Sequence, residues 1–301
     1  MKTFNALLKR NIKMFFNDKA MFFTSLITPV ILLVLYATFL GNVYRDSFLS
    51  SLPKGFSLDG KIIDGFVGGQ LVSSLLAVCC VTVSFCSNML MVQDKVSRAR
   101  TDFEITPVKK SVLSLSYFTA TFISTLIISI AASAVCLLYM LKCGWYLSLS
   151  DILLMALDIV LLVLFGTAIS SLINSFLKTQ GQISAVGTIV SSGYGFISGA
   201  YMPISQFSEG LRNVISLLPG TYGTSLLRNH ALGGVLREMK ASGVPEEMLS
   251  GIRDSVDCNL YFFKNEVSIP AMYAVLGVST VILIAAFVAI TYKSAKKQNN
   301  I

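Results

Sequence analysis

Charge is scarce in this chain. Only 13% of its 301 residues are charged and 54% are hydrophobic, where an average soluble domain carries roughly 25% charged residues. Too few ionic side chains exist to cover a water-exposed surface, which excludes an ordinary soluble domain. The bilayer is the solvent that fits, in keeping with a mean hydropathy of +0.70. Histidine is scarcer still, with His230 alone. No CxxC pair occurs among the six cysteines, so no metal site and no recognisable catalytic centre are expected. Cys79, Cys80, Cys86 and Cys136 lie inside apolar runs, where a thiol behaves as a small hydrophobe. Cys143 and Cys258 fall in expected external loops, and a disulfide between them stays open. The alternation of a membrane barrel is missing, so helices must do the spanning. The stretch Lys2 to Lys19 is too long and too charged for a signal peptide, and none is expected.

What is present is a series of long apolar runs. A helical span needs about 20 such residues. Six are read: Ala20 to Leu40 with Pro29 inside it, Ile62 to Val92, Val112 to Leu141, Ile152 to Leu177, Gln182 to Ala200, and Ser268 to Tyr292. The fold class expected is an all-α integral membrane protein of six transmembrane helices. An N-terminal interfacial helix precedes them, and short external helices stand between spans five and six. The chain forms one transmembrane domain over residues 1–301, with an interfacial helix at 1–19, a loop at 93–111 and an external loop at 201–267.

The net charge of +8 suggests nucleic acid only until the charges are placed. They cluster at the ends of apolar runs, and no nucleic-acid partner is expected. Six spans put both termini on one side. That side carries 14 Lys and Arg against 4 acids, and the other carries 10 against 11 over longer loops. The positive-inside rule makes the first side cytoplasmic.

Two cytoplasmic segments have a pattern of their own. On a helical wheel Phe4, Leu7, Leu8, Ile12, Met14 and Phe15 fall opposite Lys2, Lys9, Arg10 and Lys13, as expected of a helix lying in the inner interface. The loop at 93–111 interleaves charges with Val96, Phe103 and Ile105, and reads as a short helix ending before Pro107. In the external loop Ile204, Phe207, Leu211, Val214, Ile215 and Leu218 recur at helical spacing between Pro203 and Pro219. They predict a short amphipathic helix at or dipping into the outer interface, and Pro245-Glu246-Glu247 starts another.

Gly55 to Lys61 matches GxxxxGK, but Ile62 stands where Ser or Thr is needed and no strand precedes it, so it is not a phosphate loop. The fifth run is dense in small residues (Gly187, Ser191, Ser192, Gly193, Gly195, Ser198, Gly199), which allow close helix approach, including to a dimer mate. Asp158 is the only ionisable side chain well inside a predicted span. Such a carboxylate is a candidate for the transport path, with helix packing as the plainer alternative.

The layout resembles the ABC-2 type permease family, the membrane subunits of ABC exporters. The local stretches that carry the likeness are Phe16-Asn-Asp-Lys-Ala-Met-Phe-Phe23 with Pro29, Thr106-Pro-Val-Lys-Lys-Ser111, Ser198-Gly-Ala-Tyr-Met-Pro203 and Leu217-Leu-Pro-Gly-Thr-Tyr222 running to Leu227-Arg228. The resemblance implies a permease that moves a small amphipathic molecule, drug or peptide across the cytoplasmic membrane. Its partners would be a separate ABC ATPase subunit, a second permease chain (the same or different) and the lipid bilayer. No cofactor is expected in this chain; ATP and Mg belong to the ATPase. By carry-over Lys95, Arg98, Arg100, Asp102, Phe103 and Glu104 would meet that ATPase, and Pro203, Phe207 and Pro219 would belong to an external gate. Export of a lipid or polysaccharide, a proton-coupled secondary transporter and a non-transporting scaffold are the alternatives.

Overall fold

A computed structural model describes residues 2–51, 58–99, 103 and 108–298. Helix α1 (Lys2–Asn17) leads, through the N-cap Asp18, into α2 (Lys19–Leu35). A π-helical turn (Tyr36–Leu40) joins α2 to α3 (Gly41–Ser51). Next come α4 (Gly60–Asn88), α5 (Leu90–Val96), α6 (Lys110–Cys143), α7 (Leu149–Phe176) and α8 (Gln180–Ile197). After a 3-10 turn (Ile204–Gln206) follow α9 (Glu209–Ile215), α10 (Pro219–Ala241) and α11 (Glu246–Ser255). Strands β1 (Leu260–Phe262) and β2 (Asn265–Val267) form one antiparallel hairpin before α12 (Ile269–Gln298).

Helix α4 is the axis. It is apolar around its whole circumference and studded with Ser, Cys, Ala and Gly, and it is buried along nearly its entire length. Small side chains let α2, α6, α7, α8 and α10 close on it from all sides. The other spans bury one stripe each and leave large apolar side chains such as Phe23, Val135, Leu153 and Val281 uncovered. That is the surface expected of a protein dissolved in lipid.

Five described helices are long and apolar enough to cross a membrane, over Lys19–Asp46, Gly60–Val96, Lys110–Cys143, Leu149–Phe176 and Ile269–Lys293. They match five of the six spans read from sequence. The remaining run is a continuous helix, α8, but Gln180, Gln182 and its many serines and glycines leave it less apolar than the five spans.

The largest departure from the sequence reading lies between α8 and α12. Helix α10 has 23 residues, longer than the short external helices expected, and it packs on α4, α7 and α12. It is re-entrant. Its start at Gly220 lies against Phe165, about 24 Å along α7 from Leu149 at 1.5 Å per residue. Its later part at Gly234 lies against Tyr146, just before α7 begins. The sequence masks this because α10 is modestly polar, and the sites that accept its polar groups come from distant parts of the chain. The non-helical backbone at its buried start is satisfied internally, as lipid requires. Tyr222 OH donates to Ser216 O at 2.6 Å, and Thr221 Oγ1 donates to Ile215 O and Ile197 O at 3.2 Å.

Gly234 is where α10 touches the loop before α7 most closely. A Cβ there would stand 2.0 Å from Tyr146 O, which is backbone and cannot swing aside. Gly234→Ala is therefore expected to cost about 3 kcal/mol, read as a lowered thermal unfolding temperature of the solubilised chain. Gly251→Ala in α11, where nothing lies within 4 Å, is the matched control and should be neutral or slightly stabilising.

Candidate functional site

A lateral groove of about 1270 Å³ runs along the bundle between α2 and α8, with α3 and α4 behind it. Its two walls differ chemically. On α2 the stripe Thr24, Ile27, Ile31, Leu35, continued by Phe39, is mainly apolar; on α8 Ser184, Gly187, Thr188, Ser191 and Ser192 present hydroxyls and bare backbone. Thr28 Oγ1 reaches Ser191 O at 3.4 Å across the floor. The groove runs from Asp18 and Gln93 at one end to Phe48 and Pro203 at the other. Pro29 removes one helical amide from α2, and the π turn at 36–40 adds a second irregularity. The wall is thus a helix with two built-in bending points. Large apolar side chains of the same two helices, Phe23 and Val34 on α2 and Ile189 on α8, are exposed without lining the groove.

At the α1 end the two segments expected to be cytoplasmic clasp each other. Arg10 reaches both carboxylate oxygens of Asp94 on α5, with Nη2 to Oδ1 at 2.9 Å, and the Tyr117 hydroxyl donates to the same carboxylate. Asp94 is buried, and Asn11 Nδ2 donates to Ser116 Oγ at 3.2 Å beneath it. The guanidinium also lies 5.1 Å over the Phe103 ring. The carboxylate beside it raises the Arg10 pKa further above an already high value, so this cation is permanent. Sequence placed Arg10 on the headgroup-facing side of the amphipathic helix. It turns to Asp94 instead, because α1 packs on α6 through Leu7, Asn11 and Phe15 and carries Arg10 to the edge of that contact.

The predicted coupling residues separate into distinct places. Lys95 Nζ donates to Asn174 O, Ser175 O and Leu177 O at 3.0, 3.0 and 3.2 Å, capping the last turn of α7, where a cation also meets the negative end of the helix dipole. Arg98 is exposed, just past the end of α5, with φ of 63°. Phe103 packs into the apolar cluster with Leu7 and Phe15. Arg100, Asp102 and Glu104 lie outside the described residues.

At the opposite end Asp158 is fully enclosed and does not line the groove. Its Oδ2 meets His230 Nδ1 at 2.6 Å and its Oδ1 accepts from Tyr273 OH at 2.6 Å, so α7, α10 and α12 are tied at one point. Nearby, buried Arg228 donates to Val256 O and Gly199 O at 2.7 Å and lies 3.2 Å from Asp257. Asp257 also accepts the amides of Ile204 and Ser205 at 2.6 and 3.1 Å. Gly199 has φ of +74°, where glycine is favoured, and a Cβ there would meet Ile204 at 2.9 Å. Of the candidate gate residues, Pro203 lines the far end of the groove, Phe207 packs against the main core, and Pro219 opens α10. Cys143 and Cys258 are free thiols, the latter buried and pushed up to about 12 by that burial. Among the described residues no group of His, Cys, Asp and Glu side chains is arranged to hold a metal ion.

Sequence reasoning did not connect Arg10 with Asp94, Arg228 with Asp257, or His230 with Asp158. A usable signal existed for the last pair, since the single histidine of a lipid-embedded chain needs a partner as much as a carboxylate well inside a predicted span does.

A helical bundle with a lateral groove, an amphipathic clasp at one end and a re-entrant helix at the other is a multi-pass membrane transport domain. Residues 2–231 match the family described as ABC-2 type transporter, and the chain belongs to that family. It is accordingly the membrane component of an ABC transporter, and the family implies a separate ATPase subunit as partner. No curated protein matches the chain.

Proposed function

We propose that this chain is the permease subunit of an ATP-driven exporter that carries a small amphipathic molecule, drug or peptide across the cytoplasmic membrane along the groove between α2 and α8. A second permease chain closes the open side of the groove, and an ATPase subunit grips the α1–α5 end. The observation that carries this reading is the groove itself, with about 1270 Å³ of space, one apolar wall and one hydroxyl-lined wall. An amphipathic cargo matches both walls at once. A polysaccharide would find too few hydrogen-bonding partners along Ile27, Ile31, Leu35 and Phe39. The basic excess of α1 and the loop after α5 supports a cytoplasmic position for both termini. Pro203 is assigned to the outer gate, with Phe207 and Pro219 behind it, and Asp158 to holding α10 rather than to the path.

The test is export of a fluorescent amphipathic dye from vesicles holding the chain and its copurified ATPase. Transport with ATP supports the proposal; transport driven by an imposed proton gradient alone would replace it with a secondary transporter. Thr188→Trp, which fills the groove from the exposed face of α8, is expected to slow dye export about tenfold, the effect of roughly 1.4 kcal/mol, while ATP hydrolysis continues.

A further inference from the structure

Most hydroxyls of the groove have already spent their hydrogen. A hydroxyl carries one hydrogen and two lone pairs, and a backbone carbonyl can only accept. Thr188 Oγ1 therefore donates to Ser184 O at 2.9 Å, and Ser192 Oγ donates to Thr188 O at 2.7 Å, both within α8. Thr28 Oγ1 and Tyr201 OH donate to Ser191 O at 3.4 and 3.5 Å, and Tyr44 OH donates to Tyr201 O at 3.2 Å. All five of these side chains line the groove. With their hydrogens held by backbone, what they offer a cargo is lone pairs. Thr24, Ser184 and Ser191 make no such bond among the described residues and keep both roles. Side-chain amides come from Gln93 and Gln180 at one end and Gln206 at the other. Charge points the same way. Among the described residues no Lys, Arg or His lines the groove, and its one carboxylate is Asp18. Phe39, Tyr44, Phe196 and Tyr201 bring rings to the Pro203 end, with Phe196 and Tyr201 5.1 Å apart. Phe39 and Phe196 are 63% and 51% exposed, so a cargo can reach them. A ring face attracts a cation through its quadrupole. Tyr201 OH reaches Ser191 O, one residue from Ser192, so acceptors and rings converge at that place.

We propose that the groove selects a cationic amphipath with N–H groups, a primary or secondary alkyl ammonium. Its N–H groups donate to the oxygens of Thr28, Thr188 and Ser192, its charge rests against the rings, and its alkyl part lies along Ile27, Ile31 and Leu35. A carboxylate or sulfonate of the same size meets no cation on these walls. The inference rests on the groove being the cargo path, and narrows the class of cargo that the path takes.

The test uses nitrobenzoxadiazole probes with the same hexyl tail and a different end group: the amine, the alcohol and the carboxylic acid. Binding to the full chain in dodecyl maltoside is read by fluorescence anisotropy, with protein-free micelles as the blank. The amine is expected to bind about tenfold more tightly than the acid, with the alcohol between them. The double variant Thr188→Val, Ser192→Ala keeps the shape of the wall and removes two acceptors. It should weaken the amine about fivefold and leave the acid unchanged. Both positions are exposed, so thermal unfolding should not move. An amine affinity unmoved by the double variant would overturn the proposal. Equal affinity for all the probes, each weakened by Thr188→Trp, would overturn the cationic class and leave the groove as the path. Indifference of every probe to Thr188→Trp would overturn both, because the probes would then sit elsewhere.

Discussion

Arg228→Met is expected to destabilise the chain by about 3–5 kcal/mol, the range for breaking a buried ion pair by removing one partner. Arg228 is 1% exposed and joins the end of α8 through Gly199 O, the loop after α11 through Val256 O, α4 through Ser74 Oγ and the carboxylate of Asp257. Methionine keeps much of the volume and removes every one of these donors. Burial pushes the Asp257 carboxyl up, against the downward pull of Arg228 and of the amides of Ile204 and Ser205. With Arg228 gone that counterweight is lost and the pKa climbs further. An acid whose folded-state pKa is raised binds its proton more tightly folded than unfolded. Its stabilising contribution is complete below the unfolded value and is lost as pH rises through the folded one. The deficit of Arg228→Met should thus be smallest in acid and grow towards neutral pH. Thermal unfolding of the solubilised chain at several pH values checks both magnitude and sign. Adding Asp257→Asn should recover part of the loss, because it removes the stranded charge; a strictly additive double-mutant cycle would show that the two residues are not coupled.

The second large effect is expected at the clasp. Asp94→Ala removes the carboxylate that Arg10 and the Tyr117 hydroxyl share and with it the ion pair between α1 and α5, while the packing of α1 on α6 through Leu7, Asn11 and Phe15 remains. Arg10 keeps 27% of its side chain exposed, so the cost should lie near 2 kcal/mol, below that of a fully enclosed pair. The functional consequence is larger than the energetic one. Under the proposed function the ATPase pushes on the surface shared by α1 and the loop after α5, and Phe103 under the Arg10 guanidinium makes these one body. Without Asp94 the two can move separately, so ATP hydrolysis should continue while dye export falls to near background. Charge reversal by Arg98→Glu with Arg100→Glu tests the docking surface in another way. Arg98 is exposed and has no ion-pair partner among the described residues, so this variant should uncouple transport with no loss of thermal stability. Measuring hydrolysis, export and unfolding on both variants separates a broken clasp from a broken docking contact. Unchanged export in both would remove the assignment of coupling to this end of the bundle.

How much of this was legible in advance follows from the range of each interaction. Helix α4 could be placed within a few residues from its apolar run alone, because length and hydropathy are local properties and lipid permits little else. Helix α1 was likewise visible as a periodic stripe, and α11 was announced by Pro245 and the two acids after it; the stripe from Ile204 to Leu218 is instead split by extended Phe207 into a 3-10 turn and the short α9. Lys95 was legible as a basic residue at a span end, but its use as a cap for α7 depends on residues 79 to 82 positions away. Asp158 was flagged by its type, and the sequence could not say that it looks away from the groove.

By itself, then, the sequence determined that this protein lives in a bilayer as a helical bundle and where its apolar runs begin and end, since both rest on composition and local periodicity; the layout of its segments and a few local stretches carried the family resemblance. Tertiary structure decided that α10 turns back into the bundle, that α2 and α8 leave a groove between them, and which charges meet. Those outcomes depend on helix packing around α4 and on hydrogen bonds between residues far apart in the chain. No local pattern encodes such pairings, because a buried polar group is acceptable only where its partner happens to arrive.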